Sequence, residues 1–238
     1  MRLLGTFSQR ATVSEHSCIK ISEDIPLETA VLVGCGVPTG WGTAVNAGGV
    51  RPGDTVAVYG IGGVGINAVQ GAAFAGAQHV IAIDPVAGKR EAAMRFGATH
   101  TAASAEQARQ LITDLTQGVG ADQALVTVGV VSEYVIDAAF GAIRKHGTLV
   151  VTGLAGPEKK TIHVSGGELT LFEKRIQGAL FGGGNPFEDI PRMLDLYRSG
   201  HLKLDELITS RYSLEDVNEG YRDLLDGKNI RGVIVHEH

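Results

Sequence analysis

The sequence predicts an α/β protein with a doubly wound parallel sheet, on three observations. Apolar, β-branched runs alternate with helix-compatible runs from about Pro38 to Leu180. A G-x-G-x-x-G turn, Gly60-Ile61-Gly62-Gly63-Val64-Gly65, separates one such strand from the helix that follows. The next strand ends on an acid, Asp84, which lies 19 residues beyond Gly65. Strand, glycine turn, helix, strand and acid in this order form the pattern of a dinucleotide-binding unit.

Each element has a local reason. Thr55-Val56-Ala57-Val58-Tyr59 reads as a buried strand behind the turn signal Arg51-Pro52-Gly53-Asp54. Ala68, Ala72 and Ala75 recur at helical spacing, with Gly76 where a C-terminal cap belongs. His79 to Ile83 is the second strand, Lys89 to Phe96 a helix, and Gly97-Ala98 leads into a short polar connection. Ala105 to Thr116 reads as an amphipathic helix, Ala124 to Val128 as a strand, and Ser132 to Ile143 as a helix. Thr148 to Thr152 and Ile176 to Leu180 read as the last two strands of this unit. Beyond it, helices are expected from Asn185-Pro186 to about Ser199 and from the capping-box-like Ser213 to Leu225. Gly232 to His236 reads as a final strand, and Arg10 to Val13 and Cys18 to Ile21 as two short strands near the start.

In the turn, Gly60 permits the tight bend, Gly62 lets backbone approach a pyrophosphate, and Gly65 lets helix and strand pack closely. With Gly63 and Val64, these residues would present free N–H groups at a helix N-terminus to the phosphates. Asp84 is placed to accept from the ribose hydroxyls, or alternatively to cap its strand end, and Lys89 either flanks the adenosine or is an exposed first-turn lysine. Cys35, taken by itself among glycines, reads as an inert buried thiol. Trp41 reads as packing, and Arg231 as either solvated or engaged.

Composition excludes several classes. Glycine supplies 33 of 238 residues, roughly twice the usual share of about 7 %, which suits many tight strand–helix junctions. A net charge of −5 gives no support to binding nucleic acid or an anionic membrane. No stretch approaches 18 uninterrupted apolar residues, and the start of the chain lacks the apolar core of a signal peptide. Two cysteines are too few for a disulfide framework or a four-cysteine zinc site, so the cytoplasm is the expected compartment.

The chain resembles the zinc-dependent alcohol dehydrogenases of the medium-chain dehydrogenase/reductase superfamily. The resemblance is carried by Gly34-Cys35-Gly36, Thr39-Gly40-Trp41-Gly42, Gly60 to Gly65, Asp84, Gly153, Gly178 to Gly182, Asn218-Glu219-Gly220 and Ile230-Arg231. It is closest to a bacterial branch that includes thiol-linked formaldehyde dehydrogenases and enzymes using a nitroso acceptor. It implies NAD and zinc as cofactors, a small alcohol or aldehyde as substrate, and a homo-oligomer, with contact near Ile176 to Leu180. It also implies roles for residues. Cys35 matches the third ligand of the catalytic zinc, and Thr39 a residue beside the nicotinamide. Val128, Gly129, Thr152, Gly153 and Leu154 match strand ends lining the cofactor. Ala179, Leu180 and Phe181 match backbone that reads the carboxamide, and Arg231 an arginine on the pyrophosphate.

The family's earlier cysteine-x-serine/threonine and His-Glu elements do not occur ahead of Cys35. The expectation is therefore a C-terminal two thirds of such an enzyme, weakly active or inactive alone. Residues 1–37 and 181–238 would be remnants of a GroES-like β catalytic domain, flanking a dinucleotide-binding domain at 38–180. A non-catalytic NAD-binding module or a zinc-free reductase is the alternative.

Overall fold

A computed structural model of the chain describes residues 7–154 and 161–236. A helical turn, α1 (Leu27–Ala30), precedes the short helix α2 (Gly36–Gly42). Strands and helices then alternate: β1 (Thr55–Tyr59), α3 (Gly65–Phe74), β2 (His79–Ile83), α4 (Ala87–Arg95) and β3 (His100–Ala102). The series continues with α5 (Ala105–Leu115), β4 (Ala121–Val126), α6 (Glu133–Ala142), β5 (Ile143–Val151), α7 (Gly166–Leu171) and β6 (Arg175–Gly178). The last elements are α8 (Pro186–Arg198), β7 (Ile208–Tyr212), α9 (Val217–Leu225) and β8 (Arg231–Ile234).

The chain divides into two compact units, one running Cys35–Pro186 and the other joining the residues up to Gly34 with those from Phe187 onward. The first unit is built on a six-stranded sheet of order β3-β2-β1-β4-β5-β6, parallel throughout. Helices cover it, so its central strands are buried on both faces and read as continuous apolar runs. All five residues of β1 are buried, and the β4 and β5 centres, Ala124, Leu125, Leu149 and Val150, are fully so. The strand order reverses between β1 and β4, which is where open α/β sheets leave a crevice at their carboxyl ends.

Several expected elements differ. The polar connection after Ala98 contains β3, a three-residue strand beside β2, too short to show alternation. Gly36 to Ala47 is continuous helix, α2 running into a π turn, despite three glycines. The reason lies in packing: a methyl at Gly40 would come 2.0 Å from the Val64 carbonyl and 2.7 Å from the Asn67 side chain. Glycine there lets α2 lie directly on the start of α3. Trp41 is buried and packs on Phe74 with ring centroids 5.0 Å apart, as packing residues do. β4 starts and ends earlier than expected, β5 begins at Ile143 rather than Thr148, and β6 is Arg175–Gly178 rather than Ile176 to Leu180.

In the second unit, β7 and β8 form a parallel pair with α9 between them in sequence. The two expected strands at Arg10 to Val13 and Cys18 to Ile21 do not form. Arg10 to Val13 are exposed and have no strand partner among the described residues, and a lone strand leaves its ladder groups unpaired. Helix α9 starts at Val217 rather than Ser213, because the Ser213 hydroxyl bonds the Asp216 carboxylate instead of capping a backbone N–H. β7 lies in a segment where no strand was expected. Thr29 donates to Asp205 at 2.8 Å and Arg211 to Glu28 at 2.8 Å, joining the early and late segments of this unit.

Candidate functional site

The cleft begins where β1 ends. Gly60 adopts φ +91°, a left-handed conformation that glycine takes without penalty, and its N–H donates to the Ile83 carbonyl at 2.8 Å. The chain then turns sharply into α3. A methyl on Gly65 would stand 1.9 Å from the Gly60 carbonyl oxygen, so the helix start rests directly on the turn. Around Gly62, by contrast, nothing lies within 4 Å of where a Cβ would be. The first turn of α3 is tied to this bend, with Ile66 donating to the Gly62 carbonyl at 2.9 Å and Asn67 and Ala68 to the Val64 carbonyl at 3.1 and 3.0 Å, so the positive end of the helix stands beside the open backbone. Thr127, just past β4, donates its hydroxyl to the Gly60 carbonyl at 2.7 Å and pins the turn from the other side.

Asp84 caps its strand end, the alternative its position in the sequence offered, and has a second task besides. It is 5 % exposed, and its two oxygens accept the Ile61 N–H and the Val86 N–H, each at 2.9 Å. One carboxylate thus ties the glycine turn to the exit of β2. Two oxygens offer about four acceptor positions, so two further hydrogen bonds to a sugar remain available. Arg90 clamps the same exit by donating to the carbonyls of Asp84 and Pro85 at 2.7 and 2.9 Å.

These elements enclose a cleft of about 410 Å³. Gly60, Gly62, Asp84, Lys89, Val128 and Gly129 line it, bringing together six of the residues singled out in the sequence. It also recruits Tyr59, Ser104, Tyr134 and Val135, which no spacing signal indicates. The Tyr134 hydroxyl bonds Glu106, which raises the phenol's pKa and lowers that of the carboxylate. Tyr59 is deeply buried, and burial drives its pKa far up; its hydroxyl has no hydrogen-bond partner among the described residues. The phenol therefore stays neutral at any ordinary pH.

A second group gathers at the carboxyl ends of β5 and β6. The Thr43 hydroxyl donates to the Thr39 carbonyl at 2.6 Å and lies 2.8 Å from the Thr152 hydroxyl. A hydroxyl has one proton, so Thr152 is the donor of that pair. Gly153 packs on the Val128 carbonyl, where a methyl would stand 2.4 Å away. Ala179 is buried and donates to Val151, while Leu154 and Leu180 are exposed and Phe181 adopts φ +54°. Gly63 and Val64 lie in the turn itself, where the Val64 carbonyl accepts from Ala68. Arg231 belongs to the other unit, at the start of β8, where it lines a pocket of about 170 Å³ with Tyr212 and Tyr221.

Cys35 is exposed, not the buried thiol expected from its glycine neighbours. It precedes α2, and its carbonyl accepts the Thr39 N–H at 3.0 Å and the Thr39 hydroxyl at 2.7 Å. Among the described residues no three of His, Cys, Asp and Glu gather closely enough to hold a metal ion. One thiol cannot fill a tetrahedral zinc site, so the residues present do not fit zinc by themselves. The dinucleotide is a different case: the open backbone at Gly62, the helix start and the acid fit it.

The relatives agree with this geometry. A family model described as zinc-binding dehydrogenase matches residues 63–199. The chain is 66 % identical over 236 residues to an NDMA-dependent alcohol dehydrogenase of Amycolatopsis methanolica, covering 99 % of this chain and 64 % of that protein. It is 47 % identical over 234 residues to alcohol dehydrogenase B of Mycobacterium tuberculosis, covering 98 % and 62 %. The crystal structure of benzyl alcohol dehydrogenase from Acinetobacter calcoaceticus superposes with a TM-score of 0.85 at 30 % identity, over 92 % of this chain and 59 % of that one. The chain thus spans less than two thirds of the length of the relatives it matches. Among its described residues no helix is long and apolar enough to cross a membrane. With a parallel sheet that reverses at β1 and β4, a glycine turn tied down by an acid, and a family match over more than half its length, the chain belongs to the zinc-binding dehydrogenase family.

Proposed function

We propose that this chain is the coenzyme-binding part of an NAD-dependent alcohol or aldehyde oxidoreductase. The observation that carries the reading is the glycine turn, locked by Asp84 and Thr127, at the carboxyl edge of the sheet. Bound there, the dinucleotide supplies a nicotinamide that takes or gives hydride. The chain's own groups do the positioning. The start of α3 holds the pyrophosphate, Asp84 accepts from the ribose, and the apolar wall of Ile83, Pro85 and Val135 takes the base. The linked hydroxyls of Thr43 and Thr152, anchored on the Thr39 carbonyl, fix the backbone against which the nicotinamide end would lie. Arg231 is proposed to reach the phosphates, Cys35 to contribute one thiolate to a zinc completed by residues outside those described, and residues 38–180 to be the coenzyme domain.

Preference for NAD over NADP follows from Asp84. Unit charges 4 Å apart at an effective dielectric near 20 interact by about 4 kcal/mol, and about 1.4 kcal/mol already gives tenfold discrimination. Calorimetric titration should show NAD binding at least about tenfold tighter than NADP, and equal or tighter NADP binding would overturn the assignment. On the same sample, alcohol-dependent NADH absorbance is expected to be very weak. Fast turnover by the 238 residues alone would show that the reacting alcohol is activated by groups unlike those inferred.

We further propose that copies associate through β6. It is the sheet's outer strand and largely exposed, leaving ladder groups unpaired. Gly178→Pro, at a residue whose N–H faces away from β5 and whose Cβ meets nothing within 4 Å, removes one of its free donors and should return a sedimenting dimer to monomer; a monomeric parent at tens of micromolar would refute the contact.

A further inference from the structure

We propose that the amino-terminal end of the parallel sheet carries a second ligand site, for a small organic phosphomonoester. All six strands run the same way, so the starts of β1, β4, β5 and β6 meet at the end opposite the dinucleotide cleft. There they surround a hollow of about 560 Å³, within the usual range for organic ligands and larger than a bare phosphate needs. Arg51, Arg144, His146 and Arg175 line it, with Asp54 and Asp122.

The two acids are already engaged. Asp122 accepts from the Thr55 N–H at 2.8 Å and from Arg144 Nε at 2.6 Å. Asp54 accepts from the Arg51 N–H at 2.9 Å and Gln123 Nε2 at 2.7 Å. Arg144 is further held by Nη1 on the Lys145 carbonyl, which leaves N–H groups over. Arg175 Nη2 lies 2.7 Å from His146 Nε2. Guanidinium only donates, so Nε2 accepts and the ring proton sits on Nδ1, 3.3 Å from Glu173. His146 and Glu173 both hold left-handed backbone, at φ +61° and +51°, a conformation that non-glycine residues keep only where the surroundings impose it. Arg175 is thus set in place by a tensed pair of neighbours. The Arg51 side chain has no hydrogen-bond or ion-pair partner among the described residues.

Asp122 engages Arg144 and Glu173 engages His146, while Arg51 and Arg175 both retain unpaired forks. Such forks match phosphate oxygens in pairs, where an ammonium offers only a point charge. Thr148 and Gln123 add polar groups for the organic part.

This site does not depend on the coenzyme reading, and its test separates the two. With the opposite cleft saturated by ADP-ribose, glucose 6-phosphate is titrated calorimetrically against the whole chain, with glucose and inorganic phosphate as comparators. The expected result is saturable binding near one per chain, tighter than inorganic phosphate, and none with glucose. The double variant Arg51→Gln/Arg175→Gln should weaken glucose 6-phosphate at least tenfold and leave ADP-ribose affinity unchanged. Absence of saturable binding, binding unchanged in the double variant, or binding abolished by ADP-ribose would each overturn the proposal.

Discussion

The two ends of the same sheet are built by different means. At the carboxyl end the cleft is made mainly of backbone: a left-handed glycine, a helix start, and one acid whose oxygens both hold N–H groups. At the amino end the hollow is made of side chains drawn from before β1, from β5 and from β6. A site of backbone must hold its shape within tenths of an ångström, because main-chain atoms cannot rotate away. A site of arginines tolerates loss of one member. The first should therefore be brittle and the second forgiving.

The largest effect should come from Gly65→Ala. Its methyl would stand 1.9 Å from the Gly60 carbonyl, so either helix or turn must move. Overpacking of this kind costs about 1–3 kcal/mol, and the displaced turn should weaken NAD at least about tenfold. Gly62→Ala is the control, because nothing lies within 4 Å of its methyl. Urea midpoints should leave it within about 0.5 kcal/mol of the parent, while NAD binding still weakens because the methyl occupies the phosphate's approach. Equal behaviour of the two variants in both assays would break the claim that α3 rests on the turn while Gly62 faces ligand.

Asp84→Asn comes next. The amide has one oxygen for two backbone donors, so either Ile61 or Val86 loses its acceptor in a buried place, at about 1–3 kcal/mol. The lost charge should also bring NAD and NADP affinities towards parity. Lower stability with selectivity intact would mean that Asp84 only braces the turn.

This difference between the ends also explains what could be read from the chain. The turn and Asp84 lie within one βαβ unit, where spacing along the chain is spacing in the fold, so Gly60, Gly62 and Asp84 were recognisable before any coordinates. Tyr134, Val135 and Ser104 reach the same cleft from later helices, and no local pattern marks them. Helix α2 was hidden because glycines argue against helix, and it exists through close packing on α3 that only the tertiary structure supplies. β3 was hidden by its length, while the strands expected at Arg10 to Val13 and Cys18 to Ile21 had the composition but lacked partners. Arg51, Arg144 and Arg175 lie far apart along the chain, and only parallel topology brings them together.

The smallest effect should come from Arg144→Gln at the amino end. The Arg144–Asp122 pair is partly exposed, with side chains 35 % and 20 % accessible, so solvent screens much of it. Asp122 keeps the Thr55 N–H after the change and moves towards water instead of being stranded. The expected loss is about 1 kcal/mol or less, read from urea midpoints, with NAD affinity unchanged because no part of the dinucleotide cleft touches this end. A loss of several kcal/mol would make the pair a structural pin of β4 and β5. Weakened NAD binding would show that the two ends are coupled through the strands, and the contrast between a rigid carboxyl end and an independent amino end would fail.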